Sequence, residues 1–467
     1  MRNAISSMPS PPSLNVLQCC STLPSGHRNY AEAVSRGSEL WGRAKDLIPG
    51  GSLLLSKRAE MYLPVGWPAY FDRTEGCAVW DLDGRKFLDL GFMGVGTNIL
   101  GYSHPMVDSA VRSVIDKGNL STLNAPEEVY LAEELITLHP WADMVRYARS
   151  GGEACAVAVR IARAASGKDK VAFCGYHGWH DWYLAANLTN DDSLEGHLLP
   201  GLEPNGVPQA LAGTSLPFHY NDLEGLRNLL TENPDIGVIY LEPQRSTPPA
   251  PGFLEGVREL ATKHGAVLIF DECTSGFRRT LGGLHLHYGV DPDIATFGKT
   301  LGNGYAITAI IGRGEIMQAA QSTFISSTFW TERIGPTAAL ATLSAMREEN
   351  APARVHEIGM NVQGRWQELA ERAGLSITTG ELPALANFTV AGLDPTAVRT
   401  FITSRMLDSR YLAGVNLYAS IAHTPEILDD YFDALEPVFV ELASMDDSAL
   451  TASLPEGPAQ TGFRRLT

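Results

Sequence analysis

The sequence predicts an α/β protein whose large domain is built on a mainly parallel β-sheet. From about Tyr130 onward, short and uninterrupted apolar runs alternate with helical segments. Strands of a parallel sheet are covered by helices on both faces, so they form continuous apolar runs instead of an apolar–polar alternation. The runs that fit this description are KVAFC, IGVIYLE, AVLIFDE, IATFGK and AITAIIG.

The segment before this sheet is predicted to form a helix followed by antiparallel strands. Apolar residues recur at helical spacing in YAEAVSRGSELWGRAKDLIPGG, whose Pro-Gly-Gly ending is a typical helix stop. A hairpin is indicated by CAVWDLDGRKFLDL, which alternates and turns at Asp83-Gly84. The first 30 residues are rich in Ser and Pro and lack the apolar segment of a signal peptide, so we expect a flexible tail.

After about Ser326 the pattern predicts a smaller α+β domain. A helix is expected over IGPTAALATLSAMREE and an alternating strand over ALANFTVAG. We therefore divide the chain into a tail (1–30), an N-terminal segment (31–95), a large domain (96–330) and a C-terminal small domain (331–467).

Composition and charge narrow the function classes. The formal charge of -17 and the lack of a basic stripe argue against a nucleic-acid partner. No apolar run in the 467 residues is long enough to span a bilayer, so no membrane association is expected. The six cysteines form neither a C-x-x-C pair nor a secreted-type framework, which favours reduced thiols in a cytoplasmic protein.

Several of the apolar runs end in a polar residue: Glu242, Asp271 with Glu272, and Lys299. Ligands of open α/β sheets bind beyond the carboxyl ends of the strands, so these side chains should converge. Asp271 either pairs with a cation, such as a protonated pyridine nitrogen, or caps the following turn. Lys299 is either a surface charge or a nucleophile whose desolvation lowers its pKa and permits a Schiff base.

Two further motifs suit a phosphate and a flat ring. Ser150-Gly151-Gly152 precede a strongly periodic helix, and a helix N-terminus with small residues is a ready phosphate site, although a flexible helix start is the alternative. Tyr176 suits a ring stacked on a flat ligand, or a core position. His177, His180 and Asp181 lack a third cluster at ligand spacing, so no metal is predicted.

Taken in order, these motifs resemble the class III, fold-type I aminotransferases, which use pyridoxal 5'-phosphate. The resemblance covers nearly the whole chain after the tail and is strongest to the glutamate-1-semialdehyde aminomutase branch. It rests on IPGG, SGGEA, YHGWHD, PGFLEGVREL, FDECTSGFR, FGKTLGNG and IAHTPE.

The resemblance implies a fold-type I transferase with a large domain and a small domain built from N- and C-terminal segments. It also implies an aminotransferase that moves an amino group from an amino donor to a small carbonyl acceptor, either sugar-derived or a keto acid. An aminomutase of the glutamate-1-semialdehyde type is the alternative. A non-catalytic relative is disfavoured because Lys299 and Asp271 are both intact.

The resemblance also implies roles for individual residues. Lys299 forms the Schiff base and Asp271 pairs with the pyridine nitrogen, so these two are the catalytic residues. Further cofactor-binding positions are Ser150, Gly151, Gly152, Tyr176, His177, Glu242, Cys273 and Thr328. Tyr176 stacks on one ring face, and Cys273 replaces a usual valine on the other. Thr328 matches a residue that reaches the phosphate from the neighbouring subunit, which implies a homodimer with shared active sites.

Two segments depart from the family pattern near the inferred pocket. Where the aminomutase branch has a Ser and an Arg that hold the substrate carboxylate, SLLLSKR offers only shifted candidates: Ser56, Lys57 and Arg58. In STFWTERIGP, Arg333 either binds a substrate carboxylate or phosphate, or pairs with an acid such as Glu332. We expect Lys57, Arg58 and Arg333 to bind substrate, with Arg245 as another candidate for a keto acid.

Overall fold

The computed structural model describes residues 35–190, 193–194, 197, 201 and 203–461, so the predicted tail at 1–30 lies outside the described residues. The strands are β1 (Phe71–Glu75), β2 (Ala78–Asp81), β3 (Lys86–Asp89), β4 (Met144–Ala148), β5 (Lys170–Cys174), β6 (Ser215–Pro217), β7 (Ile236–Leu241), β8 (Val267–Glu272), β9 (Ile294–Phe297), β10 (Thr308–Gly312), β11 (Ile377–Thr379), β12 (Leu385–Val390), β13 (Tyr411–Leu412) and β14 (Asn416–Tyr418). The helices are α1 (Arg36–Leu47), α2 (Met93–Gly96), α3 (Pro105–Ile115), α4 (Glu127–Leu138), α5 (Gly151–Ser166), α6 (Asp181–Leu184), α7 (Leu223–Glu232), α8 (Phe253–His264), α9 (His285–Tyr288), α10 (Gly314–Met317), α11 (Ile334–Glu348), α12 (Ala351–Ala373), α13 (Pro395–Asp408), α14 (Pro425–Ala443) and α15 (Asp447–Ala452).

The largest sheet has seven strands in the order β4-β10-β9-β8-β7-β5-β6. The five predicted apolar runs are its strands β5, β7, β8, β9 and β10, which confirms the sequence prediction. Strands β5 to β9 are parallel to their neighbours in this group, whereas β10 runs antiparallel to both β4 and β9. The direction of β10 was not predictable, because a strand buried on both faces has the same apolar pattern in either direction.

The parallel register brings the strand ends to one edge of the sheet. Asp271 lies opposite Thr296 in the β8–β9 pair, so Lys299, three residues further along, follows β9 at the same edge. Glu242 directly follows β7, the neighbour of β8 on the other side. The convergence that the sequence predicts is therefore a property of the sheet.

A second sheet joins the two ends of the described chain. The predicted hairpin is β2–β3, with Gly84 at φ 77° in the turn, and β1 extends it. Strand β13, from the C-terminal part, pairs parallel with β3. Strands β11, β12 and β14 form a third, antiparallel sheet.

The predicted helices before and after the large sheet are also present. Helix α1 begins after Ser35, which caps it, and ends before Pro49. Helix α11 covers the predicted IGPTAALATLSAMRE segment. The predicted division at residue 330 into two domains stays a prediction. Within the described residues, no helix has both the length and the apolar character needed to cross a bilayer.

The core beneath the small sheet is centred on Trp366 of α12. Its side chain is 0% exposed, its ring centroid lies 4.8 Å from that of Phe388, and its indole N–H donates to the Tyr431 hydroxyl at 3.2 Å. We expect Trp366→Ala to lower the free energy of unfolding by about 3–5 kcal/mol, because it leaves a large cavity. Urea unfolding of the purified protein measures this.

The matched control is Met360→Ala on the same helix, where the side chain is 52% exposed. It should change the free energy of unfolding by no more than about 0.5 kcal/mol. Equal effects of the two substitutions would contradict the placement of Trp366 in the core.

Candidate active site

Asp271, near the end of β8, is a buried carboxylate with several donors around it. Its Oδ2 accepts a hydrogen bond from Nδ1 of His177 at 2.7 Å. Its Oδ1 accepts from the backbone N–H of Cys273 at 3.0 Å and from Thr296 Oγ1 at 3.2 Å. Burial alone would raise the pKa of Asp271, but the hydrogen bond and the charge of His177 outweigh it, so this pKa is lowered. The carboxylate is therefore held in its ionised form.

His177 is held by ring stacking and by a contact at each ring nitrogen. Its ring stacks on Tyr240, with centroids 4.2 Å apart and planes at 11°. Nε2 faces the carbonyl oxygen of Cys174 at 3.1 Å, and Nδ1 faces Asp271. Both partners are oxygen acceptors, so the ring is held between two oxygens and hydrogen-bonds to Asp271.

Lys299 follows β9 in a strained backbone conformation, with φ 40°. Its Nζ donates a hydrogen bond to Thr274 Oγ1 at 2.6 Å. Burial lowers the pKa of the Lys299 amine, and the nearby charge of Arg245 lowers it further. A lysine acts as a nucleophile through its neutral amine, so this environment favours the reactive form.

The start of α5 lies close to these two residues. Ser150 is the N-cap, and it forms a capping box with Glu153. Gly151 and Gly152 are the first helical residues. The first backbone N–H groups of a helix have no partner within the helix and attract anions. The observed geometry thus suits the predicted phosphate position.

Gly152 is also crowded by the loop after β5. A Cβ at this position would lie 3.1 Å from Cδ2 of His180 and 3.3 Å from Nε1 of Trp179. A Cβ on Gly178 would lie 2.8 Å from the Gly152 Cα, so the two backbones are in direct contact. A side chain at position 152 would therefore press against this loop.

Cys273 lies between the start of α5 and the residue before Lys299. Its Sγ is 3.8 Å from an ideal Cβ on Gly151 and 3.5 Å from one on Gly298. Its sulfur, the sulfur of Cys155 and a carboxylate oxygen of Asp271 lie within 4.8 Å of one another. Sequence reasoning missed Cys155, although its place one helical turn after Gly151 puts it on the same face of α5.

Tyr176 and Glu242 lie together at the edge of the site. The backbone N–H of Tyr176 donates to Glu242 Oε2 at 3.4 Å. An ideal Cβ on Gly175 would be 2.8 Å from the same oxygen, and the φ of 110° at this position favours glycine. Burial raises the pKa of Tyr176, so its hydroxyl stays protonated and its ring stays neutral.

Arg333 is held by an acid within its own chain. Its Nη2 and Nε donate to the two carboxylate oxygens of Glu127 at 2.5 Å and 3.3 Å. Glu332 pairs instead with Arg149 at 2.9 Å. The structural alternative for Arg333 that the sequence left open is therefore observed, with Glu127 as the partner.

Arg245 makes fewer hydrogen bonds to its neighbouring carboxylate than Arg333 does. Its Nη1 lies 3.5 Å from Glu242 Oε2 and makes no hydrogen bond within the described structure. Its positive charge acts on both Lys299 and Tyr176. Arg245 is thus a cation at the site that has room for a second partner.

The other predicted substrate-binding residues lie in the N-terminal segment. Lys57 is exposed in a short 3-10 turn, and the guanidinium of Arg58 lies over Gly50. Neither makes a hydrogen bond or ion pair with Asp271 or Lys299 in the described part of the chain. Ser56 lines a separate cavity.

Thr328 is exposed at the start of a 3-10 turn that ends at Thr331. Arg149, which precedes the start of α5, donates to the carbonyl oxygens of Trp330 and Glu332 at 3.0 Å and 2.9 Å. The turn with Thr328 is therefore fixed to the phosphate end of the site, although Thr328 itself faces outward.

Two comparisons of sequence place the chain among known proteins. Residues 64–415 match the family model "Aminotransferase class-III". The 3-aminobutyryl-CoA aminotransferase of Cloacimonas acidaminovorans (strain Evry) is 32% identical over 426 residues, which is 88% of this chain and 98% of the relative.

Solved structures share the fold. The FumI protein of Sphingopyxis sp. MTA144, in its internal aldimine form with pyridoxal phosphate, has a TM-score of 0.79 at 24% identity and covers 89% of this chain and 99% of its own. A glutamate-1-semialdehyde aminomutase of Pseudomonas aeruginosa PAO1 has a TM-score of 0.73 at 20% identity, with 87% and 94% covered. These likenesses confirm the fold-type I architecture.

The family model spans well over half of the chain, and the relative from C. acidaminovorans is similar over nearly its whole length. The expected family, cofactor and reaction type are therefore confirmed. The chain belongs to the class-III aminotransferases and is a transaminase that depends on pyridoxal 5'-phosphate.

Proposed function

We propose that this transaminase moves an amino group from an amino donor to a keto acid whose carboxylate is bound by Arg245. The observation that carries the proposal is the difference between two cations. Arg333 is engaged by Glu127 through two hydrogen bonds, whereas Arg245 has the longer ion pair with Glu242, at 3.5 Å, and its Nη1 makes no hydrogen bond in the described residues. A guanidinium binds a carboxylate through two parallel N–H donors, so Arg245 is the better candidate.

The donor that we propose carries its amine on the third carbon of an acyl chain. The support is the relative from C. acidaminovorans, which is named for 3-aminobutyryl-CoA. Such a reaction passes the nitrogen between two molecules, unlike an aminomutase, which moves an amine within one molecule.

The residues of the site fit the cofactor. The buried Asp271 carboxylate, held ionised, suits a protonated pyridine nitrogen, and the Lys299 amine with its lowered pKa suits a covalent bond to the cofactor aldehyde. Ser150, Gly151 and Gly152 at the start of α5 would hold the phosphate. When bound, pyridoxal phosphate supplies the carbonyl that accepts the amino group and a ring that withdraws electrons.

The remaining predicted residues take supporting roles in this proposal. Tyr176 and Cys273 would border the two faces of the ring, and His177 would act through Asp271. Lys299 Nζ would take up and return the proton at the carbon that carries the amine, with Thr274 holding the amine in place at 2.6 Å.

We also propose a homodimer in which Thr328 of each subunit completes the site of the other. The surface around Thr328 is unusually apolar, since Phe324 is 85% and Phe329 is 69% exposed. The backbone N–H of Arg333, just after this turn, donates a hydrogen bond to the carbonyl oxygen of Asn119. Leu123, in the same segment as Asn119, is also exposed. Large exposed apolar patches mark interaction surfaces.

A cytoplasmic location is part of the proposal. Cys77, Cys155, Cys174 and Cys273 are free thiols in the described structure. Reduced thiols without a disulfide framework are typical of proteins in reducing compartments.

The first prediction concerns Lys299. Reduction of the holoenzyme with borohydride should fix the cofactor to Lys299, because its amine is buried at the site with a lowered pKa. Lys299→Ala should lose this adduct in peptide mass spectrometry, while Lys170→Ala, a change on strand β5 of a lysine paired with Asp235, should keep it. An adduct on another lysine in the wild-type protein would refute the assignment.

The second prediction concerns Arg245. With ¹⁵N-labelled 3-aminobutanoate and a panel of keto acids, the label should appear in the amino product of the acceptor. Arg245→Gln should raise KM for the acceptor about tenfold or more, because a charged hydrogen bond is worth roughly 1.5–3 kcal/mol. Cofactor affinity should change little.

Arg333→Gln is the matched control for Arg245. It should leave the acceptor KM within about twofold and lower thermal stability, since it breaks the partly buried pair with Glu127. The reverse pattern, with KM raised only in the Arg333 variant, would return the substrate role to Arg333. Label that stays within the donor would favour an aminomutase.

The third prediction tests the shared site. Lys299→Ala and Thr328→Asp should each be nearly inactive, and refolding the two variants together should restore activity. In a mixed dimer one site combines the intact Lys299 of one subunit with the intact Thr328 of the other. If both residues served the same site within one chain, mixing would restore nothing.

A further inference from the structure

A cavity of about 140 Å³ lies apart from the Asp271–Lys299 cluster. That is roughly ten times the 10–15 Å³ that one water molecule needs. Its walls come from the N-terminal segment, the end of β3, helix α13 and the loop between β13 and β14. Its lining includes Tyr62, Trp67, Asp89, Phe92, Arg399 and Val415.

Most of the wall is apolar and part of it is flat. The rings of Tyr62 and Trp67 are stacked, with centroids 4.2 Å apart and planes at 3°. The Tyr62 hydroxyl donates to the carbonyl oxygen of Ser56 at 2.8 Å, which fixes the ring. Small-molecule sites combine such apolar walls with a few polar groups, so an alkyl chain fits this surface.

Arg399 supplies a positive charge that forms no ion pair with any described residue. Its Nη2 donates to the carbonyl oxygen of Gln460 at 3.0 Å, and its Nε is buried without a hydrogen-bond partner. No acidic side chain in the described ranges lies within ion-pair distance of it. Burial lowers the pKa of Arg399. A half-buried, unpaired guanidinium favours an anionic ligand.

The carboxylate in the wall does not serve Arg399. Asp89 Oδ1 accepts from the backbone N–H of Gly91 at 2.9 Å, and Oδ2 accepts from the Tyr102 hydroxyl at 2.6 Å. Both oxygens are thus engaged within the fold. Asp89 is therefore held by donors of the fold and forms no ion pair with Arg399 in the described residues.

A series of contacts leads from the cavity wall toward the catalytic region. Phe92, in the wall, contacts Tyr418 edge to face with centroids 5.2 Å apart. An ideal Cβ on Gly96 would lie 3.1 Å from the Tyr418 ring, and the Gly96 carbonyl accepts a hydrogen bond from Arg278. The positive charge of Arg278 in turn lowers the pKa of Lys299, although burial and other charges act more strongly. Packed side chains and one hydrogen bond therefore link the cavity wall to a charge that acts on the catalytic lysine.

We propose that this cavity is a substrate subsite that takes the far end of the amino donor, an apolar chain that ends in a carboxylate bound by Arg399. The inference rests on the proposed function, because it extends the proposed 3-amino acyl donor away from the reacting carbon. It makes Arg399 a residue that determines specificity for the donor.

Matched donors test the subsite. We would compare 3-aminoalkanoates with 3-aminoalkanedioates of six, eight and ten carbons, using the holoenzyme and one keto acid. At one chain length the donor with the terminal carboxylate should have a kcat/KM at least about tenfold higher. Arg399→Gln should abolish this preference, and Arg399→Lys should keep part of it.

Arg372→Gln is the control, because Arg372 is 59% exposed and pairs with Glu436 on the surface. It should keep the full preference. Val415→Trp should fill the cavity without removing the charge, so it should slow the long donors and spare 3-aminobutanoate, which lacks a tail. This covers the case in which Arg399→Gln fails to fold.

Three outcomes would overturn the subsite: an Arg399→Gln variant that keeps the preference, a Val415→Trp variant that slows short and long donors equally, or an alkanedioate that inhibits without competing with the donor. A wild-type enzyme that accepts none of the 3-amino donors would instead refute the proposed donor class.

Discussion

The rest of the site depends on one buried negative charge, that of Asp271. A carboxylate at the end of a buried strand is unstable unless donors and a cation surround it. Nδ1 of His177 and the backbone N–H of Cys273 hydrogen-bond to this carboxylate. The loop that carries His177 is itself closely packed, since an ideal Cβ on Gly175 would contact Glu242 and one on Gly178 would contact Gly152. Asp271 therefore ties the loop after β5 to the end of β8.

The architecture and the centre of the site could be predicted because they follow from local patterns. Unbroken apolar runs identify strands that are covered on both faces, and parallel strands place their carboxyl ends together. Asp271, Glu242 and Lys299 were therefore expected at one edge, and the structure brings them there. The direction of β10 was beyond reach, because its apolar pattern carries no information on strand direction.

The choice among the cations could not be predicted, because it depends on contacts between distant parts of the sequence. Arg333 and Glu127 are 206 residues apart, and neither shows a local sign of the other. Thr274 was missed for a similar reason: its role is visible only from the position of the Lys299 side chain. Arg399 lies on a helix with no motif, and its lack of an ion pair within the described residues appears only once the surrounding walls are known.

The parallel pairing of β3 with β13 has a consequence for synthesis of the chain on the ribosome. Leu88 pairs with Tyr411, which lies 323 residues later in the chain. At about 5–20 residues per second, the edge of β3 waits roughly 16–65 s for its partner strand. An open strand edge can pair with another chain during that time. The strands of the large sheet are all made before residue 313, so the N-terminal hairpin keeps an open edge after that sheet is complete.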